Sequence, residues 1–397
     1  MIIKSLLDLD YYKLTMGQLV FFKYPKEVAE YHFKCRDVDV NLAKYLSPIR
    51  EEINKLGNLR LTTEEYSLLL EKLPLLKKEY VNFLLDFKFH PEDEVEVSVD
   101  RDGQLKIQIK GLWSRTILYE TMILAIVSEI VTKHQSLYNW DILYNEGIKK
   151  LDAKIQMIHD LNDPDFKFAD FGTRRRINFK WQNEMVTEFN KRLNIIGNNK
   201  NFNGTSNVYI GLTNNIPIIG TFAHEYIMAG QALHPIATFQ RDMLNVWAEF
   251  YDGNLGIALT DTISTDQFYK DFGLKLSKLY DGVRHDSGCP IEFGEKTLRH
   301  YKSLNLDTLN KTIVFSDALT MKRSIELFKH FYGKIKTSYG IGTHLSHDFD
   351  SVTPTSIVIK LQRINGFPVA KNSDEPIKSM CIDKNFLQFI QRYFNCG

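Results

Sequence analysis

The chain has 397 residues, 44% of them hydrophobic, enough for two or three domains of roughly 150 residues and a sizeable core. Lys and Arg total 50 against 49 Asp and Glu, and the net charge of +1 gives no reason to expect nucleic acid or an anionic membrane as partner. Four cysteines (Cys35, Cys289, Cys381 and Cys396) without C-x-x-C spacing exclude a disulfide framework and suit a reducing compartment.

In chain order, the start MIIKSLLDLDYYKL turns acidic and aromatic by its tenth residue. It lacks the apolar core and small-residue cleavage site of a signal peptide. LTTEEYSLLLEKLPLLKKEYVNFLLDF predicts helices interrupted near Pro74. VEVSVDRDGQLKIQIKG predicts a hairpin: Val95, Val97 and Val99 alternate with polar residues, as do Leu105, Ile107 and Ile109 after Asp102-Gly103. TILYETMILAIVSEIV carries Glu120 and Glu129 within one membrane-span length, so a buried core helix fits better than a transmembrane one. Short apolar runs ending in Gly- or Asp-rich turns follow: KFADFGTRRR, NVYIGLTNNIPIIG, LGIALTD, TIVFSDAL and KTSYGIGTH. Strand, turn and helix in repetition predict a parallel α/β arrangement, and in α/β barrels the working residues sit at the carboxyl ends of the strands. The tail SIVIKLQRINGFPVAKNSD reads as a hairpin with Asn365-Gly366 at its turn, returning to the amino-terminal unit. The expected division is an α+β unit over 1–115, joined by 350–397, and an α/β barrel over 116–349, in a cytoplasmic protein.

Chemistry concentrates at the strand ends. FGTRRR (Phe171 to Arg176) places three arginines after a Gly-Thr turn, and guanidinium forks suit phosphate oxygens; a solvated basic helix start is the plainer alternative. DGVRHDSGCP puts Arg284, His285 and Asp286 in a turn, where a carboxylate could meet ribose hydroxyls or a magnesium–phosphate unit and Arg284 an anion. A capped helix start is the alternative there. FSDAL delivers Ser316 and Asp317, and YGIGTHL offers Gly340, Gly342 and Thr343 as a small-residue turn that can cradle phosphate. GTFAHEYIM delivers Thr221, His224 and Glu225. Position 228 is Met, so the zinc-protease pattern H-E-x-x-H lacks its second ligand. His344 and His347 could chelate a metal only with partners that no Cys or carboxylate pattern supplies.

Taken in order, LDLDYYKLTM, FGTRRR, NGTSNV, GTFAHEY, GVRHDSG, FSDAL and GIGTHL resemble nicotinate phosphoribosyltransferase over nearly the whole chain. The resemblance implies an irregular α/β barrel plus an α+β domain built from both chain ends. It implies that nicotinate and phosphoribosyl pyrophosphate give nicotinate mononucleotide and pyrophosphate in NAD salvage, with coupled ATP hydrolysis and Mg2+. It implies that His224 is phosphorylated and then hydrolysed, with Glu225 orienting the ring or solvating the proton, and that the enzyme is a homodimer. Tyr12, reaching in from a partner subunit, and Phe171 resemble the rings that sandwich nicotinate. Thr221 and Arg284 resemble the carboxylate site and Arg174 a pyrophosphate contact. Asp286 and Asp317 resemble ribose or magnesium–phosphate contacts, and Gly340, Gly342 and Thr343 the 5′-phosphate cradle. Ser206 and Asn207 line the same region.

Three alternatives stand beside this. A nicotinamide phosphoribosyltransferase would carry an aspartate near Ser206-Asn207, whose absence favours the acid substrate. A non-catalytic relative is kept open by Cys289, since the family usually reads HDSGDP where this chain reads HDSGCP, and a thiol does not hold magnesium as a carboxylate does. A zinc hydrolase on His224 and the His344/His347 pair would need stoichiometric metal.

Overall fold

The computed structural model describes residues 1–37, 39–135, 137–375 and 378–396. Its strands are β1 (Val28–Cys35), β2 (Val95–Val99), β3 (Leu105–Leu112), β4 (Phe168–Asp170), β5 (Phe202–Thr205), β6 (Ile257–Leu259), β7 (Gly282–His285), β8 (Thr312–Phe315), β9 (Lys336–Ile341), β10 (Ile357–Ile364) and β11 (Phe367–Pro368). They form two sheets. One is antiparallel, in the order β11-β10-β1-β3-β2, and the other is parallel, in the order β5-β4-β9-β8-β7-β6.

The antiparallel sheet follows from alternation. Leu105, Ile107 and Ile109 of β3 are buried while their neighbours are not, and β3 pairs with β2 from Val95↔Ile109 to Val99↔Leu105. The second hairpin turns at Asn365 and Gly366, both at positive φ, as a tight two-residue turn requires. The sheet thus draws strands from both chain ends, with β1 pairing β10 from Ala29↔Ile364 to Cys35↔Ile357.

The apolar segment forms the helix Tyr119–Lys133, buried almost throughout. Its two glutamates are tolerated because each meets a cation: Glu120 pairs with Lys13 at 2.6 Å and Glu129 with Arg176 at 2.7 Å. Among the described residues no helix is long and apolar enough to cross a membrane.

Between β5 and β6, the two edges of the parallel sheet, lies the segment Pro217–Thr221. Thr205 N donates to Pro217 O and Ile219 N to Thr205 O, so this segment pairs with β5. On its other side Thr221 Oγ1 donates to Ile257 O at the start of β6, at 3.1 Å. Thr15 Oγ1 of the helix Tyr11–Lys23 donates to Thr221 O at 2.6 Å, tying the amino terminus to this junction.

Candidate active site

The carboxyl ends of the parallel strands lie on one side of the sheet, the mouth, and each strand is followed within four residues by a polar side chain. Arg174 follows β4, Ser206 follows β5, Asp261 follows β6, Asp286 follows β7, Asp317 follows β8 and Thr343 follows β9. At the centre is His224, first residue of the helix His224–Leu233 and 2% exposed. Its Nε2 lies 2.8 Å from Asp261 Oδ1 and 3.7 Å from Asp286 Oδ2. Asp261 Oδ2 meets Lys371 Nζ at 3.0 Å and accepts from Ser287 Oγ at 2.6 Å.

These charges set the protonation of the ring. Burial, and then the Lys371 ammonium, push the His224 imidazole down to about 4, against the pull of Asp261. Burial works to raise Asp261, but Lys371 and His224 hold it well below the usual carboxylate range. An ionised carboxylate only accepts, so Nε2 carries the ring proton and Nδ1 the lone pair. Nδ1 has no hydrogen-bond partner among the described residues. Asp286 is also held low: burial opposes this, while Arg284 and His224 outweigh it.

Glu225 does not orient the ring. Its carboxylate accepts from Lys13 Nζ at 2.5 Å, Tyr31 OH at 2.6 Å and Trp113 Nε1 at 2.8 Å, which anchors the histidine helix to the amino-terminal unit. The ring's partner is Asp261. It stands at the end of LGIALTD, the same signal of an apolar run closing on Asp that marks Asp317. Lys371 carries no such signal, because the tail brings it in.

The three adjacent arginines separate. Arg176 is fully buried, forked onto Asp8 through Nη1 at 2.6 Å and Nη2 at 2.8 Å, with Nε on Glu129. Its role is structural. Arg174 is partly exposed, its Nη1 3.9 Å from Glu120. Arg175 is pushed down to about 10 by burial, then by Arg174 and Arg36. Lys360 of β10 is pushed down to about 8 by burial, with Lys371 and Arg174 adding to the repulsion. Among the described residues Arg36, Arg175 and Lys360 have no ion pair. Half-buried cations that repel one another, and that no salt bridge holds among the described residues, are stabilised by a polyanion.

Other expected residues take different places. Arg284 lies within β7, not in a turn, and its buried Nε has no partner among the described residues. His285 packs in the core between Phe293 and Phe315. Asn207 caps the helix Val208–Asn214 through Ile210 N and donates to Asp8, so it is a structural residue. Ser206 Oγ donates to Asp10 Oδ1 at 2.6 Å. A carboxylate therefore stands beside Ser206 after all, supplied by the chain start. The case for an anionic substrate moves to Arg284, which has no ion pair among the described residues. Thr221 gives its hydroxyl proton to the strand junction. Tyr12 N packs against Gly220 of its own chain, and Gly340 makes room for the Phe171 ring: a Cβ there would lie 2.3 Å from it. Asp317 Oδ2 pairs with Lys378 at 2.7 Å. His347 donates Nδ1 to Arg175 O, so that nitrogen is not free for zinc.

This geometry has known counterparts. Residues 166–397 match the nicotinate phosphoribosyltransferase (NAPRTase) family, and residues 7–128 match its N-terminal domain. The chain belongs to the nicotinate phosphoribosyltransferase family. It is 41% identical to nicotinate phosphoribosyltransferase 1 of Pseudomonas aeruginosa over 402 residues, covering 99% of this chain and 97% of that one. It is 42% identical to the Bordetella pertussis nicotinate phosphoribosyltransferase over 399 residues, covering 99% and 95%. The crystal structure of the Vibrio cholerae nicotinate phosphoribosyltransferase superimposes with a TM-score of 0.93 at 38% identity, covering 100% of this chain and 95% of that one.

Against the family's usual HDSGDP, the Cys289 position is a helix cap. Cys289 is exposed, has extended backbone (φ −73, ψ 116), and precedes the helix Pro290–Ser303 with no side-chain cap bond. Cys289→Asp should therefore stabilise the protein by about 1 kcal/mol, the usual worth of an N-cap. Urea unfolding at pH 7 measures it, and an unchanged midpoint would refute the capping role.

Acid should weaken the fold through two buried histidines. Burial pushes His347 to about 4, as it does His224. Between pH 6.5 and about 4 the unfolded chain binds protons that the folded chain does not. The stabilisation is thus complete above pH 6.5 and is lost as pH falls, by up to about 3 kcal/mol per histidine. His347→Asn should flatten the stability–pH curve over that window. The same curve in both proteins would count against it.

Proposed function

We propose that this chain makes nicotinate mononucleotide and pyrophosphate from nicotinate and phosphoribosyl pyrophosphate, coupled to ATP hydrolysis through a phosphohistidine at His224. The observation that carries the reading is the ring itself: one nitrogen held by an ionised carboxylate, the other carrying a lone pair, at a helix start that favours phosphate. Nδ1 attacks the γ-phosphorus of ATP, the bond to ADP breaks, and ADP leaves with the electron pair. The charge then on the ring is balanced by Asp261. Water later cleaves the N–P bond, returning the free ring and phosphate.

For the ribosyl step the pyridine nitrogen is the nucleophile, so no strong base is needed. Positive charge grows on the ribose as pyrophosphate departs, and Asp286 and Asp317 stabilise it electrostatically. Arg174, with Arg36, Arg175 and Lys360, holds the polyphosphate. Arg284 holds the nicotinate carboxylate, Phe171 and Tyr12 flank its ring, and Gly342 and Thr343 hold the 5′-phosphate.

The donor set suits Mg2+. Asp286, which no lysine pairs with among the described residues, offers the carboxylate oxygens it prefers, and Asp317 would have to share its carboxylate with Lys378; the His224–Asp261–Asp286 group, with ligand atoms within 4.8 Å, includes an imidazole and a carboxylate paired with Lys371. Magnesium on the pyrophosphate would neutralise the leaving group. A cytoplasmic homodimer, with units over 1–115 plus 350–397 and over 116–349, completes the proposal.

The test is product formation from phosphoribosyl pyrophosphate with nicotinate or nicotinamide, each with and without ATP and magnesium. Nicotinate should be the substrate, ATP should raise its conversion, and His224→Asn should abolish only the ATP effect. Product from nicotinamide alone would sink the substrate assignment, and ATP stimulation surviving in His224→Asn would sink the phosphohistidine.

A further inference from the structure

The segment after β9 is built into the segment after β4. Phe171 N donates to Ile341 O at 2.9 Å. Ser346 Oγ donates to Gly172 O at 2.9 Å, and Ile177 N donates to Ser346 O at 3.1 Å. His347 Nδ1 contacts Arg175 O at 2.9 Å. A carbonyl only accepts, so Nδ1 bears the proton and Nε2 the lone pair. Nε2 is buried without a partner among the described residues. Ser346 and His347 are 0% and 2% exposed. A buried imidazole that leaves one nitrogen unsatisfied to give the other to a backbone carbonyl points to that single bond as the reason for the residue.

The two carbonyls it and Ser346 hold, Gly172 and Arg175, bracket Thr173 and Arg174. We propose that Ser346 and His347 are positioning residues that staple the Phe171–Arg176 turn to the Gly342–Thr343 turn, so that the pyrophosphate contact and the 5′-phosphate contact keep one spacing. The proposal rests on Arg174 and Thr343 holding the two ends of phosphoribosyl pyrophosphate. Neither Ser346 nor His347 touches substrate in this arrangement. Each acts through the backbone of a neighbouring turn. The one hydrogen-bond partner of the His347 ring among the described residues is the carbonyl of Arg175, and the Phe349 ring packs edge-on to it at 6.3 Å.

The experiment uses the full chain and steady-state kinetics at saturating ATP. His347→Leu fills the space without a donor, and His347→Asn restores a donor at the place of Nδ1. His347→Leu should raise the KM for phosphoribosyl pyrophosphate by about tenfold to about a hundredfold, as a small misplacement of a phosphate contact does, with the KM for nicotinate unchanged. His347→Asn should return it to near the starting value. Ser346→Ala, a smaller change that folds even if His347→Leu does not, should shift the same KM in the same direction. Equal impairment in His347→Leu and His347→Asn would overturn the staple, as would folded variants with an unchanged KM. Arg174→Ala is run beside them. If it is impaired while the His347 and Ser346 variants are normal, the staple alone fails. If Arg174→Ala binds phosphoribosyl pyrophosphate normally, the reading of Arg174 fails and the proposal with it.

Discussion

Asp261→Asn should remove ATP coupling while leaving the fold intact. The carboxylate accepts the Nε2 proton of His224 at 2.8 Å and so keeps the lone pair on Nδ1. An asparagine amide can donate to Nε2 instead, which moves the ring proton to Nδ1 and quenches the nucleophile. Tautomer loss of this kind in a histidine held by aspartate costs about 10⁴-fold elsewhere, and a fall of about 10²- to 10⁴-fold in ATP-dependent turnover is expected here. The change also leaves the Lys371 ammonium, 4% exposed, without its carboxylate, so Lys371→Met on the same background should recover stability without recovering coupling. Quenched-flow trapping of acid-labile, base-stable phosphoprotein reads the step directly. Wild-type levels of phosphoprotein in Asp261→Asn would show that Asp261 does not set the tautomer.

The second large effect concerns stability. Arg176→Met should destabilise the fold by about 3–5 kcal/mol, because it takes the cation from the buried Asp8 and the partly buried Glu129 at once. Arg174→Met, two residues away, should cost less than about 1 kcal/mol, since that guanidinium is 36% exposed and its only ion pair is at 3.9 Å among the described residues. Urea titration of both variants separates the two roles. Equal midpoints would refute the division of labour within the arginine run.

That division shows where sequence reading stops. The strand-end residues were legible because a buried parallel strand is a short apolar run, and the polar residues within the next few positions stand at its carboxyl end. Arg174, Asp286, Asp317 and Thr343 carry that local mark. Asp261 carries it too, at the end of LGIALTD. Which of three adjacent arginines points outward depends on what surrounds each one, and Asp8 and Glu129 lie far from them in sequence. Arg36, Lys360 and Lys371 enter from the chain ends, where nothing local relates them to a strand end. The two sheets, the hairpins and the buried helix were readable from alternation, turn residues and apolar length. The bond between Thr221 and Ile257 at the sheet edges was not, because it is made by one side chain rather than by a repeating pattern.

The order of the antiparallel sheet also bears on synthesis. Its middle strand, β1, leaves the ribosome long before its partner β10, because nearly all of the parallel sheet lies between them in the chain. Until then β1 has β3 on one side and an open edge on the other, with Tyr31 and Phe33 in the waiting strand. Long-separated strand pairs slow folding, and an unpaired edge invites pairing with another chain. A nascent chain halted before β10 should therefore be the species that chaperones hold and that aggregates when they are scarce.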